Sequence, residues 1–596
     1  MPRPSTGAIA FLVASLAMAG GATQRAQETG PRYADLVVRG GKVVTVDTAG
    51  RIAGAVAVVG DRIAAVGDTA QVNTWIGPST RVIELQGRTL LPGFIDAHSH
   101  VLGLAESEHL KVPIQVPTPR KDVPAIMAAL ERKRAEVGPN AWIFGQGTYY
   151  QPMPTRDELD AAFPENPVVL WWSFHDQILN HRAAVALGLT KDAPDPVSGR
   201  YERASNGEVA IVRDAAVAYP VPRFTAPQAK DALRSTLTDF YRNRGVTTVV
   251  DLSDPTLAYR AYQELRADGE LPTRLTLNFM LQPDAPDDDD PRPARTGPAT
   301  TGNGQEARAR TSRLLRAMLA SGLHTGFGDD WIRIGAIKIV LDGVWGTTAA
   351  TYKPFWKGPK TTWSAENLGS TNFTAEELNR LVLDAHRGGW QLMVHALGDR
   401  AQDMLMDAFD AAQQAAPRTD ARLRIEHVGH AWVLDDTRQP GRVARMKHLG
   451  AIPSPQVSML WRYSADDLEE PGVKFFPLRT MIDAGFEPPN GADTLGTQNF
   501  ATDPLFALAR AVRRDSKYGV IVHPEEAIAP MDAIRMCTIW AARAAFLETS
   551  RGSIEVGKLA DMVVLSADPL TTPPATLPEL AVDATILGGR IVYTRR

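Results

Sequence analysis

Two histidines separated by one serine close an apolar run, GFIDAHSHV at Gly93–Val101. In an extended strand alternate side chains share a face, so His98 and His100 project to the same side, about 7 Å apart along the backbone. Neutral imidazole is the commonest nitrogen ligand for zinc, and two on one side of a strand end can hold one ion. The competing reading is a pair of core or surface histidines without a ligand. Other apolar runs are interrupted in the same way: by Lys338 in IGAIKIVLDG, by His395 in WQLMVHALGD and by His427 in RLRIEHVGH. For any one histidine a satisfied core imidazole explains as much as a ligand does. Taken together, the four strand ends point to a metal centre.

Such residues need a scaffold that brings distant strand ends together. Eight apolar, strand-like runs end near His100, Asp251, Met280, Lys338 to Asp342, His395, His427, Gln456 and Gln498, and amphipathic helical stretches alternate with them. That alternation is the signature of a parallel sheet with crossover helices, and eight units predict an α/β fold, a (β/α)8 TIM-like barrel with its site at the strand ends. Short β-branched runs separated by glycines fill residues 33–90 and return at 551–596, so the two chain ends are expected to pair into a small β-sandwich domain around a barrel spanning 91–550. The stretch from about 104 to 220 is too long for a loop and reads as a subdomain inserted over the mouth. Residues 284–310 are rich in Pro, Gly, Asp and Thr and read as a surface loop, with Asp287–Asp290 a solvated charge run rather than a calcium site.

Composition excludes some functions. Among 596 residues, 64 Lys and Arg face 68 Asp and Glu with no basic stripe, which argues against nucleic acid as a partner and leaves a small-molecule substrate. Residues 1–26 combine Arg3, the apolar run Ala8–Ala19 and the small-x-small triplet Ala17-Met18-Ala19, the pattern of a secretory signal peptide. Cys537 is the sole cysteine, so an intramolecular disulfide is excluded. A periplasmic or secreted protein held together by packing is the expectation. No later segment is long and apolar enough to span a membrane, and a homo-oligomer is compatible with this reading.

The order His-x-His, Lys, His, His around a barrel resembles the amidohydrolase superfamily of metal-dependent hydrolases. More narrowly, LPGFIDAHSH, IKIVLDG, VHALGDRA, RIEH and GSIEVGKLADMVVLSADPL are similar to the amidohydrolase 3 family, which includes N-substituted formamide deformylase. The resemblance runs from about Ala34 to the C-terminus. It implies that His98 and His100 bind one divalent metal and His395 and His427 a second, and that a CO2-derived carbamate on Lys338 bridges them. Zinc is the expected ion, although nitrogen and oxygen ligands also suit manganese or iron. A free lysine repels cations, whereas its carbamate is an anion with two oxygens able to touch both. The activity implied is hydrolysis of an amide or related C–N bond by metal-activated water.

Other candidates surround that set. His175, in WWSFHDQILNH, matches the family's substrate-proximal histidine except that Ser173-Phe174 replaces Asp-Gly; it either orients a carbonyl or makes a structural hydrogen bond. Tyr149, Asp342, Trp345 and Gln456 fall near the expected mouth and are assigned to substrate, whereas His386, His430, His448 and His523 are assigned to structure. The family's eighth strand ends in Gly-Ser-Asp or Gly-Thr-Asp, whose aspartate touches a metal and takes the proton of the attacking water. The matching stretch is read as LGTQNFATDP, which puts Gln498 in the catalytic position. Glutamine is no general base near neutral pH. Three alternatives follow: Asp503 takes the role, another group or the substrate handles the proton, or turnover is lost. The second is favoured, and it keeps a lyase or isomerase on the same scaffold, and a degenerate binding protein, in view.

Overall fold

The computed structural model describes residues 33–114, 123–148, 151–172, 176–194, 200–213, 217–253, 255–281, 313–346, 348–354, 367–433, 441–470 and 472–596. The expected signal peptide, the 284–310 loop, Tyr149 and His175 lie outside these residues or within their gaps. Seven parallel strands form the central sheet: strand one Phe94–Ser99, two Val246–Asp251, three Arg274–Leu281, four Ile332–Val340, five Leu392–His395, six Arg424–Glu426 and seven Ile452–Ser454. Each pairs with its neighbour in chain order, the arrangement of a TIM-like barrel.

No eighth strand follows among the described residues. The chain instead approaches strand one through an irregular segment, with Ala97 N donating to Asn490 O at 3.0 Å and Asp493 N to His98 O at 2.7 Å. Asn490 also accepts through Oδ1 from Val457 N beyond strand seven, at 2.9 Å, so this segment links both edges of the sheet. The approach demands glycine at 491: a Cβ there would lie 2.4 Å from His98 N.

The crossover helices are amphipathic. In Ala375–Arg387 the buried positions Leu378, Leu381, Val382 and Ala385 recur at helical spacing, and Thr374 and Glu377 form a reciprocal capping box at its start. Between strands one and two lies a separate six-stranded sheet built from Val112–Pro113, Ile143–Gln146, Val168–Trp171, Asp176–Leu179, Arg200–Arg203 and Val209–Arg213.

The chain ends meet. Thr89–Pro92 pairs antiparallel with Met562–Leu565, joining the N-terminal strands to Val582–Leu587 and Arg590–Thr594 in one continuous eight-stranded sheet. Val38, Val56, Leu90, Met562, Val564 and Ile586 form its core. A fully buried ion pair ties this sheet to the barrel: Arg274 of strand three reaches Asp561 through Nε at 2.7 Å and Nη2 at 3.1 Å.

Candidate metal centre

Strand one delivers His98 and His100 as the alternation rule requires, with ring centroids 5.5 Å apart. The end of strand six departs from that alternation. Glu426 and His427 are consecutive, yet both reach His98: the Glu426 carboxylate lies 2.6 Å from His98 Nδ1, and the His427 ring lies 5.2 Å from the His98 ring. A left-handed backbone at His427, φ 68°, turns the second side chain inward. Gln456 after strand seven, φ 43°, and Asp493 in the closing segment, φ 47°, have the same unusual conformation. Non-glycine residues adopt it at an energetic cost, and such strain gathers at functional sites.

Asp493 is the carboxylate that faces these histidines. Its Oδ1 lies 3.3 Å from His98 Nε2 and 3.5 Å from His100 Nε2, and its Oδ2 lies 3.7 Å from His427 Nδ1. The His395 ring stands 4.3 Å from that of His427. His395 Nε2 faces Gly343 O at 3.1 Å; a carbonyl only accepts, so Nε2 carries the proton and Nδ1 keeps the lone pair. Lys338 on strand four is 2 % exposed.

The electrostatics favour neutral imidazoles beside an ionised carboxylate. Burial, reinforced by the Lys338 charge, pulls His98 down to about 4 and His395 to about 3, so both imidazoles are neutral and able to ligate. Burial also pulls the Lys338 amine down to about 8 against the opposing charges of Glu426 and Asp493, and a neutral amine is the form that reacts with CO2. Burial resists the charge on Asp493, but His98, His100 and Lys338 outweigh it and hold the carboxyl well below its usual range. One ligating atom from each of His98, His427 and Asp493 falls within 4.8 Å of the other two, and His98 Nε2 is buried with no hydrogen-bond partner among the described residues. A divalent metal fits this donor set of imidazole and carboxylate.

Three sequence-based assignments change. Gln498 is not where the strand-eight carboxylate belongs: its amide nitrogen lies 2.6 Å from Met459 Sδ, and Asp493, five residues earlier in NGADTLG, faces the histidines. The Gly-Ala-Asp triplet was the available signal, obscured because LGTQ offers a similar small-residue pattern just after it. Asp342 is not open to substrate. Its oxygens accept from the backbone amides of Leu397, Gly398 and Ala350 at 2.8–2.9 Å, bracing the loops after strands four and five. Gln456 is fully buried behind His98, donating to Glu426 Oε2 and Ser454 Oγ, each at 3.0 Å. Trp345 is half-buried and donates through Nε1 to Glu470 Oε2 at 2.8 Å, tying the loop after strand four to the loop after strand seven. Sequence reasoning missed Glu426 and Arg424 altogether, although both stand beside His427 in RLRIEH.

Residues 81–593 match the amidohydrolase family. The chain belongs to that family. Among its relatives, N-substituted formamide deformylase of Arthrobacter pascens is 29% identical over 583 residues, covering 94% of this chain and 98% of the relative. The protein LONG AFTER FAR-RED 3 of Arabidopsis thaliana is 28% identical over 583 residues, covering 94% and 92%. Among solved structures, a metal-dependent hydrolase from Pyrococcus horikoshii superposes with a TM-score of 0.62 at 20% identity, covering 91% of this chain and 99% of that one, which supports the fold. This amidohydrolase is a metal-dependent hydrolase of that superfamily.

Proposed function

We propose that this amidohydrolase is a binuclear enzyme that hydrolyses the C–N bond of a small amide, with N-substituted formamides as the first class to test. The observation that carries the reading is the convergence of His98, His100, His427 and Asp493, with His395 against His427 and the charge of buried Lys338 felt by His98, His395 and Asp493. His98 and His100 would hold one ion, His395 and His427 the other, and a carbamate on Lys338 would bridge them. When bound, the metals supply an acidified water and a Lewis-acid pole for the substrate carbonyl. Asp493 accepts the proton of the attacking water and returns it to the departing amine nitrogen, so that amide and water become acid and amine. The other reaction types entertained from sequence rested on a missing carboxylate, and Asp493 supplies one.

Purified protein is assayed with N-benzylformamide and N-acetylbenzylamine, following amine release, alongside elemental analysis. Release of amine, with about two zinc-like ions per chain, supports the reading. Lys338→Ala should lose metal and activity together and regain part of both with short carboxylic acids. Full activity in Lys338→Ala would exclude the bridging carbamate.

A further inference from the structure

Which nitrogen an imidazole offers to a metal is decided by what grips the other one. In His98 the gripping group is Glu426, whose Oε2 lies 2.6 Å from Nδ1 while Nε2 points toward Asp493. Glu426 is fully buried, and Arg424 holds both its oxygens, Nε to Oε1 at 2.7 Å and Nη2 to Oε2 at 3.1 Å. Gln456 adds another donor to Oε2 at 3.0 Å. A carboxylate met by a guanidinium and an amide N–H can only accept from the ring, so Nδ1 carries the proton and Nε2 the lone pair. The same Arg424 Nη2 also donates to Ala97 O at 2.9 Å, the carbonyl just before His98. Strands one and six are not neighbours in the sheet, so this contact crosses the barrel interior and holds the backbone as well as the ring of His98.

We propose that Arg424, Glu426 and Gln456 form a positioning relay that fixes the tautomer and orientation of His98 and thereby sets the metal affinity of the centre. It rests on the reading of His98 as a ligand. The relay touches neither substrate nor reacting atoms. A purely structural ion pair across the barrel would leave metal affinity untouched once the fold was preserved, which separates the two roles.

The test is metal affinity, measured by chelator competition on apo protein reloaded with Zn(II), and the absorption spectrum of the Co(II)-loaded protein. Glu426→Gln keeps the shape and removes the charge; affinity should fall about 10- to 100-fold and the Co(II) bands should shift. Because that change leaves Arg424 unpaired, the doubly neutral Arg424→Met/Glu426→Gln protein is measured beside it; it should melt close to the wild type and still bind metal more weakly. Wild-type affinity in the doubly neutral protein would overturn the relay. In a His98→Gln background, Glu426→Gln should cost nothing more, and a full additional loss there would equally overturn it. His98→Gln leaving affinity unchanged would instead show that His98 is no ligand, a failure of the underlying assignment.

Discussion

At the scale of single residues, the proposal that Asp493 rather than Gln498 takes the proton of the attacking water has a direct consequence. Asp493→Asn should slow turnover by about 10²- to 10⁴-fold, the usual contribution of a general base, while Gln498→Ala, which removes a contact to Met459, should leave kcat within a few-fold of wild type. The two variants assayed side by side decide between the residues. The buried imidazoles also set a pH response. His98 and His395 stay neutral in the folded chain down to about 4 and about 3, whereas an unfolded histidine protonates near 6.5. Between those values the unfolded chain binds more protons, so stability is present above about pH 6.5 and is lost as pH falls toward 4. Denaturant midpoints of the chelator-treated protein should decline across that window, and a flat profile would contradict the burial of neutral histidines.

At the scale of elements, the convergence of these side chains depends on three residues with left-handed backbone and on one close approach. His427 illustrates the first: with an ordinary extended backbone it would face away from Glu426's side of the strand, and the two could not both reach His98. Gly491 illustrates the second. A methyl group at 491 would collide with His98 N and the His98 side chain, at 2.4 and 2.6 Å, and both are fixed by the sheet. Gly491→Ala should therefore destabilise the protein by about 1–3 kcal/mol and weaken metal binding together, read by urea unfolding and by metal content. Unchanged metal content at reduced stability would mean that the closing segment can retreat without moving Asp493.

At the scale of the whole molecule, the small sheet and the barrel are held by the buried Arg274–Asp561 pair. Asp561→Ala strands a buried guanidinium and should cost roughly 3–5 kcal/mol, whereas the paired change Arg274→Met/Asp561→Leu should come close to wild type; thermal unfolding of the set measures this. We also propose that the chain is exported. The charged, apolar and small-residue start predicts a mature N-terminus between about residues 19 and 27, and N-terminal sequencing of protein from its native host checks it. Recovery of an intact Met1 in the cytoplasm would exclude export. Among the described residues no helix is long and apolar enough to cross a membrane.

The sequence by itself determined which histidines and which lysine stand at the strand ends, the barrel class and the family, because each depends on local pattern: period-two alternation, apolar runs ending in polar residues, and motifs in fixed order. What it could not determine depends on register between segments far apart in the chain. Asp493 and Gln498 both follow small residues, and only the hydrogen bonds of Asn490 and Asp493 to strand one decide which of them faces His98. Asp342 and Gln456 end their strands where a substrate contact would be expected, yet one is consumed by backbone amides and the other by Glu426, partners supplied by neighbouring loops and strands. The Arg424–Glu426–His98 relay joins residues more than three hundred positions apart across the barrel interior. No periodicity carries that information, because a contact between non-adjacent strands exists only once the sheet has curled to bring them face to face.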